Sequence, residues 1–281
     1  PIPLRRRMRS RPRSQEDYPP ADWDENLLER AGTEGEGTGE ILYGINPVRE
    51  ALGAGLELTR IFLAEGRGGA DAAELKRLAG KRGTRVEIVE RRALDRLCGH
   101  GRHQGVAAAV RPFAYSGIEA VLANRHPAAA EDLVLILDGI LDPQNLGALI
   151  RTAHCFGANG IVIPARRASP VTAVAVKASA GAALHTPVAV EENLVRTVEM
   201  LKSRGFWVYG ADASASARVG ATKLSGRIAL VVGAEGKGIR PLLRSKCDVL
   251  VSIPMMGKID SLNVSVATGI LLFEISKRRH I

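Results

Sequence analysis

The sequence predicts an α/β protein built from a small and a larger α/β unit. Three observations carry that expectation. Short apolar runs rich in β-branched residues alternate with helical stretches along most of the chain, the order that gives a parallel sheet with helices on both faces. Several runs, among them Leu133–Leu137, Ile228–Val232 and Val249–Ile253, are continuously apolar, as strands covered on both faces are. The last two of these enter loops that hold glycines, one acid, one hydroxyl and one amide. Those loops would lie at the carboxyl ends of their strands, where open α/β sheets bind ligands.

The chain has 281 residues, enough for two modest domains or one domain with a tail. Residues 1–39 read as a tail. Pro1–Ser14 holds six arginines and no acid, and the stretch that follows is acidic and rich in Gly and Pro. Neither half has a helical or strand period, so both read as mobile. Residues 1–40 carry a net charge of −2, so the remaining 241 carry +11. A basic globular body points to a polyanionic partner, nucleic acid above all, with solubility as the plainer alternative.

Residues 40–112 read as a small α/β sandwich. Pro47 sits in the first turn of a helix that runs through Ala51. Leu58–Ala64 is a strand, and Asp71 reads as the cap of a helix bearing Leu75, Leu78 and Ala79 on one face. Arg85–Val89, Arg91–Cys98 and Val106–Val110 follow as strand, helix and strand. Lys76, Arg77, Lys81, Arg82, Arg85, Arg91, Arg92 and Arg96 crowd the polar faces. The functional reading is an RNA-recognition module, without the aromatic platform that single-strand stacking uses. Residues 113–131 read as a linker, part of it (Gly117–Leu122) helical.

Residues 132–281 read as the larger unit. After Leu133–Leu137, Asp142 and Pro143 open a helix that ends at Phe156 and Gly157. Asn145 lies near its start and Arg151 within it; six residues is not one helical face, so the two converge only if Asn145 belongs to the loop. Ile161–Ile163 is a strand, Lys177–Ala183 a small-residue helix, Val188–Val190 a strand, Asn193–Arg204 an amphipathic helix and Phe206–Tyr209 a strand. The two strands beside the glycine and amide loops come next, then a last helix over Val264–Ser276.

Three cysteines, Cys98, Cys155 and Cys247, are odd in number and widely spaced, which argues for a reducing compartment and a cytoplasmic location. Cys98, His100 and His103 form a C-x-H-x2-H cluster; a polar loop and a metal site are both readings of it, and a fourth ligand is not evident. No run approaches the length of a membrane span.

The glycine loop excludes several chemistries. A dinucleotide fingerprint, a phosphate loop ending in Lys-Ser/Thr and a nucleophile elbow are all absent. Gly233-Ala-Glu-Gly-Lys-Gly places Glu235 where it would repel phosphates, so a cationic ligand without phosphate, such as a sulfonium, suits it better.

At this point a family resemblance emerges. Asn145-Leu146-Gly147 with Arg151, then Gly233-Ala234-Glu235-Gly236, then Ile253-Pro254-Met255 through Ser261-Leu262-Asn263-Val264-Ser265 resemble, in order, the three signature motifs of the SpoU/TrmH family. Tyr43-Gly44, Pro47 to Leu52 and His103-Gln104-Gly105 resemble that family's ribosomal-protein-like substrate-binding domain. The resemblance implies a SPOUT-superfamily RNA ribose 2′-O-methyltransferase that uses S-adenosylmethionine. It implies a parallel-sheet domain with a deep trefoil knot, and a homodimer with the active site at the dimer interface. Structured RNA is the implied substrate. A guanosine of 23S rRNA is the first expectation; transfer RNA, or RNA binding without catalysis, is the alternative. Gly233, Ile253, Met255 and Leu262 would line the cofactor site. Asn145, Arg151, Glu235, Ser261 and Asn263 would be the catalytic set. Each of these five also has a plainer role, as a helix cap, a loop brace, or an Arg151–Glu235 ion pair.

Overall fold

The structure is a computed structural model that describes residues 40–53, 55–127, 129, 131–257 and 261–279. The tail expected over residues 1–39 lies outside the described residues.

The first sheet is built from β1 (Ile41–Tyr43), β2 (Leu58–Ala64), β3 (Arg85–Val89) and β4 (Val106–Val110), with helices α1 (Ile45–Gly53), α2 (Ala70–Arg82) and α3 (Arg91–Cys98) between them. Its strand order is β1-β4-β2-β3. β4 runs antiparallel to both neighbours, while β2 and β3 are parallel across α2. Side chains alternate across the pleat. Ile61 and Leu63 of β2 pack with Val48, Leu52 and Leu75 of α1 and α2, whereas Phe62 and Ala64 pack with Ala93, Leu94 and Leu97 of α3. β1, too short to show a period, has no counterpart in the sequence reading. Asp71 lies inside the first turn of α2 rather than at its cap, and its carboxylate pairs with Arg49 at 2.6 Å.

The second sheet has seven strands, all parallel: β5 (Leu133–Asp138), β6 (Gly160–Pro164), β7 (Val188–Glu191), β8 (Trp207–Ala211), β9 (Ala217–Arg218), β10 (Ile228–Gly233) and β11 (Val249–Ser252). The order is β7-β6-β5-β10-β8-β11-β9. Continuous apolar sequence here does mean burial on both faces. One face is covered by α5 (Pro143–Cys155), α6 (Ala173–Ala178) and α9 (Val264–Arg279). The other is covered by α4 (Ile118–Ala123), α7 (Leu194–Ser203) and α8 (Pro241–Arg244). α4 belongs to the stretch read as a linker, yet its Val121 and Leu122 are part of this core.

Two helices depart from their expected bounds for local reasons. The helix expected over Lys177–Ala183 lies earlier in the chain: α6 spans Ala173–Ala178 and stops there. The Ser179 hydroxyl donates to the Val176 carbonyl and accepts from the Ala183 N–H, offering the backbone an alternative to continued helix. α9 continues to Arg279. α5 and α6 approach closely through Gly147: a Cβ there would sit 2.3 Å from the Ala175 carbonyl oxygen.

The two units are joined by directed contacts. The Tyr115 hydroxyl accepts from the Val171 N–H at 2.9 Å, the Glu40 carboxylate accepts from the Ala173 N–H, and Lys177 pairs with Glu50.

Candidate active site

The site grows from the register of the central strands. β10 pairs with β5 so that Gly233 lies opposite Asp138, and the loops after both strands leave the same edge of the sheet. Beyond Gly233 the chain closes a tight turn, with the Gly238 N–H donating to the Ala234 carbonyl at 2.8 Å. The turn folds back on the strand end. A Cβ on Gly233 would lie 2.0 Å from the Gly238 carbonyl carbon, so a side chain at 233 cannot coexist with this turn. The sequence reading assigned that glycine to close approach of a cofactor; the first constraint on it is the protein's own backbone. Glu235 projects from the tip, exposed.

Asp138 anchors the other end of the turn. Its carboxylate is buried and accepts from the Arg240 backbone N–H at 2.8 Å and from Arg240 Nε at 2.7 Å. Sequence reasoning gave Asp138 no role; the signal was an acid closing an otherwise apolar strand.

The second wall comes from the end of β11. Ile253 and Met255, and then Ser261 and Leu262 before α9, face the glycine turn across a cavity of about 500 Å3. Gly233 and Glu235 line it too. All four residues read as cofactor-lining therefore share one cavity, and it is of nucleoside size. Asp212 and Arg244 join its rim. Hydrogen bonds from Ser214, and then from Arg244, hold the Asp212 carboxyl below the usual carboxylate range, so it is ionised at neutral pH.

Asn263 and Asn145 are brought together. Asn263 Oδ1 accepts from the Ser265 N–H at 3.0 Å, capping α9, and its Nδ2 donates to Asn145 Oδ1 at 3.1 Å. The capping role and the positioning role thus use different atoms of one amide. Asn145 sits within the first turn of α5 rather than in the loop, so it does not converge with Arg151. Six residues advance the helix by about 600°, leaving Arg151 about 240° round from Asn145. Arg151 is exposed, does not line the cavity and makes no hydrogen bond or ion pair with the described residues. The Arg151–Glu235 ion pair considered from sequence is not formed.

The loop after β6 also reaches this edge. The Arg167 carbonyl packs against Gly139, and the Ser169 N–H donates to the Ile140 carbonyl at 2.7 Å. Arg166 and Arg167 are both exposed there, and Arg167 adopts a left-handed φ of 60°. Two adjacent arginines just past a strand end were the sequence signal, and it went unused.

The C-x-H-x2-H cluster serves its own loop. His103 is fully buried; its Nδ1 accepts from the Gly105 N–H, which leaves the Nε2 proton for Asp95 at 3.0 Å. Burial, and then the nearby Asp95 charge, push the Cys98 thiol up to about 11.

A parallel sheet covered on both faces, with a nucleoside-sized cavity at its carboxyl edge and a basic α/β unit attached, defines an enzyme domain coupled to a module for a polyanionic substrate. The comparisons make this specific. Residues 132–273 match the SpoU rRNA methylase family, and residues 41–116 match the RNA 2′-O ribose methyltransferase substrate-binding family. A Bacillus subtilis protein named as a TrmH-family tRNA/rRNA methyltransferase is 42% identical over 243 residues, covering 86% of this chain and 96% of the relative. A Mycolicibacterium vanbaalenii relative, named as an uncharacterized tRNA/rRNA methyltransferase, is 43% identical over 241 residues, 85% of this chain and 77% of its own. The crystal structure of an S-adenosylmethionine-bound rRNA methyltransferase from Sinorhizobium meliloti superposes with a TM-score of 0.59 at 26% identity, covering 84% of this chain and 86% of that one. The AviRb methyltransferase of Streptomyces viridochromogenes, at 23% identity and a TM-score of 0.61 over 90% of this chain and 93% of its own, shares the fold. The chain belongs to the SpoU methylase family and is a methyltransferase.

Proposed function

We propose that this chain methylates a ribose 2′-hydroxyl of structured RNA, with S-adenosylmethionine as donor and a guanosine of 23S rRNA as its target. The observation that carries the reading is the single cavity shared by the Gly233–Gly238 turn and the Ile253–Leu262 segment. Its chemistry fits the donor. Ile253, Leu262 and Met255 offer apolar wall, the Gly233–Gly238 turn borders it with backbone, and Glu235 suits a cation, while Asp212 is already paired with Arg244. When bound, S-adenosylmethionine supplies an electrophilic methyl group on a sulfonium.

The chain's own residues bind and orient. Glu235, free of partners among the described residues, is placed to accept from a ribose hydroxyl. Ser261 lines the cavity, and the Asn263–Asn145 hydrogen bond ties the start of α9 to the first turn of α5. Arginine stays protonated, so Arg151 acts as a planar fork on the phosphate beside the target ribose rather than as a base.

Arg151 reaches a cavity only if a second copy supplies it. α9 presents Val266, Ile270 and Phe273 to solvent at helical spacing, 51%, 36% and 51% exposed. The opposite side of α9 is spent on the chain itself, through buried Thr268, Leu271, Leu272 and Ile275, and Gly269 on the flank packs toward α5, where a Cβ would sit 3.7 Å from Thr152 Cγ2. Arg151 adjoins Thr152, so it lies beside the α5–α9 seam. A homodimer across that face would set Arg151 of one copy at the cavity of the other. The same reading takes residues 40–112 as the RNA-binding domain and 132–281 as a knotted methyltransferase domain, acting in the cytoplasm. Among the described residues, no helix is long and apolar enough to cross a membrane.

Mapping 2′-O-methyl groups in RNA from cells with and without this protein tests the proposal. One 23S guanosine losing its methyl group is the expected result. Loss at a transfer RNA position would replace the substrate, and an unchanged methylation map would overturn the reading.

A further inference from the structure

Tyr43 and His100 are far apart in sequence, and neither has an aromatic neighbour along the chain, which is why no aromatic platform was expected. The fold brings them together. Tyr43 ends β1 at the edge of the small sheet and meets His100, in the loop after α3, with ring centroids 4.3 Å apart and planes at 79°. Tyr43 remains 43% exposed.

The loop that carries His100 is held from within. Buried His103 ties Asp95 to the Gly105 N–H, as described above. Gln104 takes a left-handed φ of 56°, and its side-chain oxygen accepts from the Ile45 N–H at 3.2 Å, fastening the loop to the start of α1. His100 is itself oriented: its Nδ1 accepts from the Arg102 N–H, which leaves the ring proton on Nε2, a donor. Two cations flank this edge. Arg102 is exposed. Arg67 lies across Gly105; its guanidinium pairs loosely with Asp71 at 3.8 Å, and its Nε is buried without a hydrogen-bond partner among the described residues.

A left-handed non-glycine residue held by its own side chain marks a loop whose shape is over-determined. Aromatic faces next to arginines take up unpaired nucleotides, because every base has a π-face and its phosphates are anionic. We propose that the Tyr43–His100 pair is a stacking site for an unpaired base of the RNA substrate, with Arg102 and Arg67 on the flanking phosphates. The inference rests on the RNA-methylating function above and names where the first unit grips its substrate. The base docks on the exposed ring, and the phosphate engages the guanidinium groups and the His100 Nε2–H.

Two measurements on the full chain test it. Zero-length ultraviolet cross-linking to a pool of fragmented ribosomal and transfer RNA, followed by peptide mapping, is expected to place nucleotide adducts on Tyr43 or His100; adducts confined to other segments would overturn the proposal. Binding of the same pool to Tyr43→Ala and His100→Ala is expected to weaken about tenfold, while Tyr43→Phe stays within about twofold of the parent. S-adenosylmethionine affinity and Tm are expected to stay unchanged in all three. A lowered Tm with unaltered RNA binding would make the ring pair a fold contact and sink the site. Wild-type protein that binds RNA without methylating it would remove the enzymatic reading while leaving the stacking site to stand on the variants. Wild-type protein that binds no RNA would remove both.

Discussion

The two ends of the seven-stranded sheet use charge in opposite ways. At the amino end, Asp132 precedes β5 and is 2% exposed. Its carboxylate accepts from Arg125 and Arg227 at 2.8 Å and from Asn159 Nδ2 at 3.0 Å, and Asn159 in turn accepts from the Leu133 N–H. Arg227 also lies 4.4 Å over the Phe206 ring. At the carboxyl end, Asp138 and Asp212 are paired, but Glu235, Arg166 and Arg167 stand exposed with no partner among the described residues. A charge satisfied inside the fold stabilises it; a charge left open is available to a ligand. The same strand, β5, thus begins in a structural network and ends at a site.

Substitutions at the two ends are expected to separate stability from activity. The largest effect on folding belongs to Asp132→Ala, which leaves two arginines facing an emptied buried position and is expected to cost about 3 kcal/mol, read as a lowered urea midpoint, with methyl transfer per folded molecule preserved. Burial alone would raise the Asp132 carboxyl, but hydrogen bonds from Arg125, Asn159 and Arg227 outweigh it and hold the group below its usual range. Its contribution is therefore fully present above the unfolded value, near about 3.9, and is lost as pH falls through the lower folded value. Below about pH 4 the gap in stability between the parent and Asp132→Asn is expected to narrow. A gap that widens in acid would break the contrast.

Arg151→Ala is expected to do the reverse: methyl transfer to RNA falls about a hundredfold, while Tm and S-adenosylmethionine affinity hold. Transfer at the parental rate would return Arg151 to the solvated surface. A smaller change is expected for Glu235→Gln, about tenfold in kcat with little change in donor affinity, since only an interaction with the reacting hydroxyl is weakened. A loss of donor binding in calorimetry, with kcat intact in saturating donor, would make Glu235 a brace for its turn.

How far the sequence reached follows from how local each signal is. β5, β10 and β11 were legible because strands buried on both faces are continuously apolar, and the three motifs fell on their ends. β9 and α8, of two and four residues, carry too few side chains to show a period. Asn145 was left open between loop and helix because Asp142 and Pro143 fix where α5 starts but not which way its first turn faces the cavity. The Tyr43–His100 contact is wholly non-local. Gly233 was singled out as a place of close approach, and the atoms that exclude a side chain there, Gly238 and Ile239, could be named only from the folded turn.

The central claim is that the folded-back glycine turn and the segment after β11 make one pocket for a methyl donor. Calorimetric titration of S-adenosylmethionine into the parent, Gly233→Ala and Arg151→Ala tests it directly. Saturable binding to the parent and to Arg151→Ala, with binding lost in a still-folded Gly233→Ala, is the predicted result; no binding to the parent, or equal binding to all three, would contradict it.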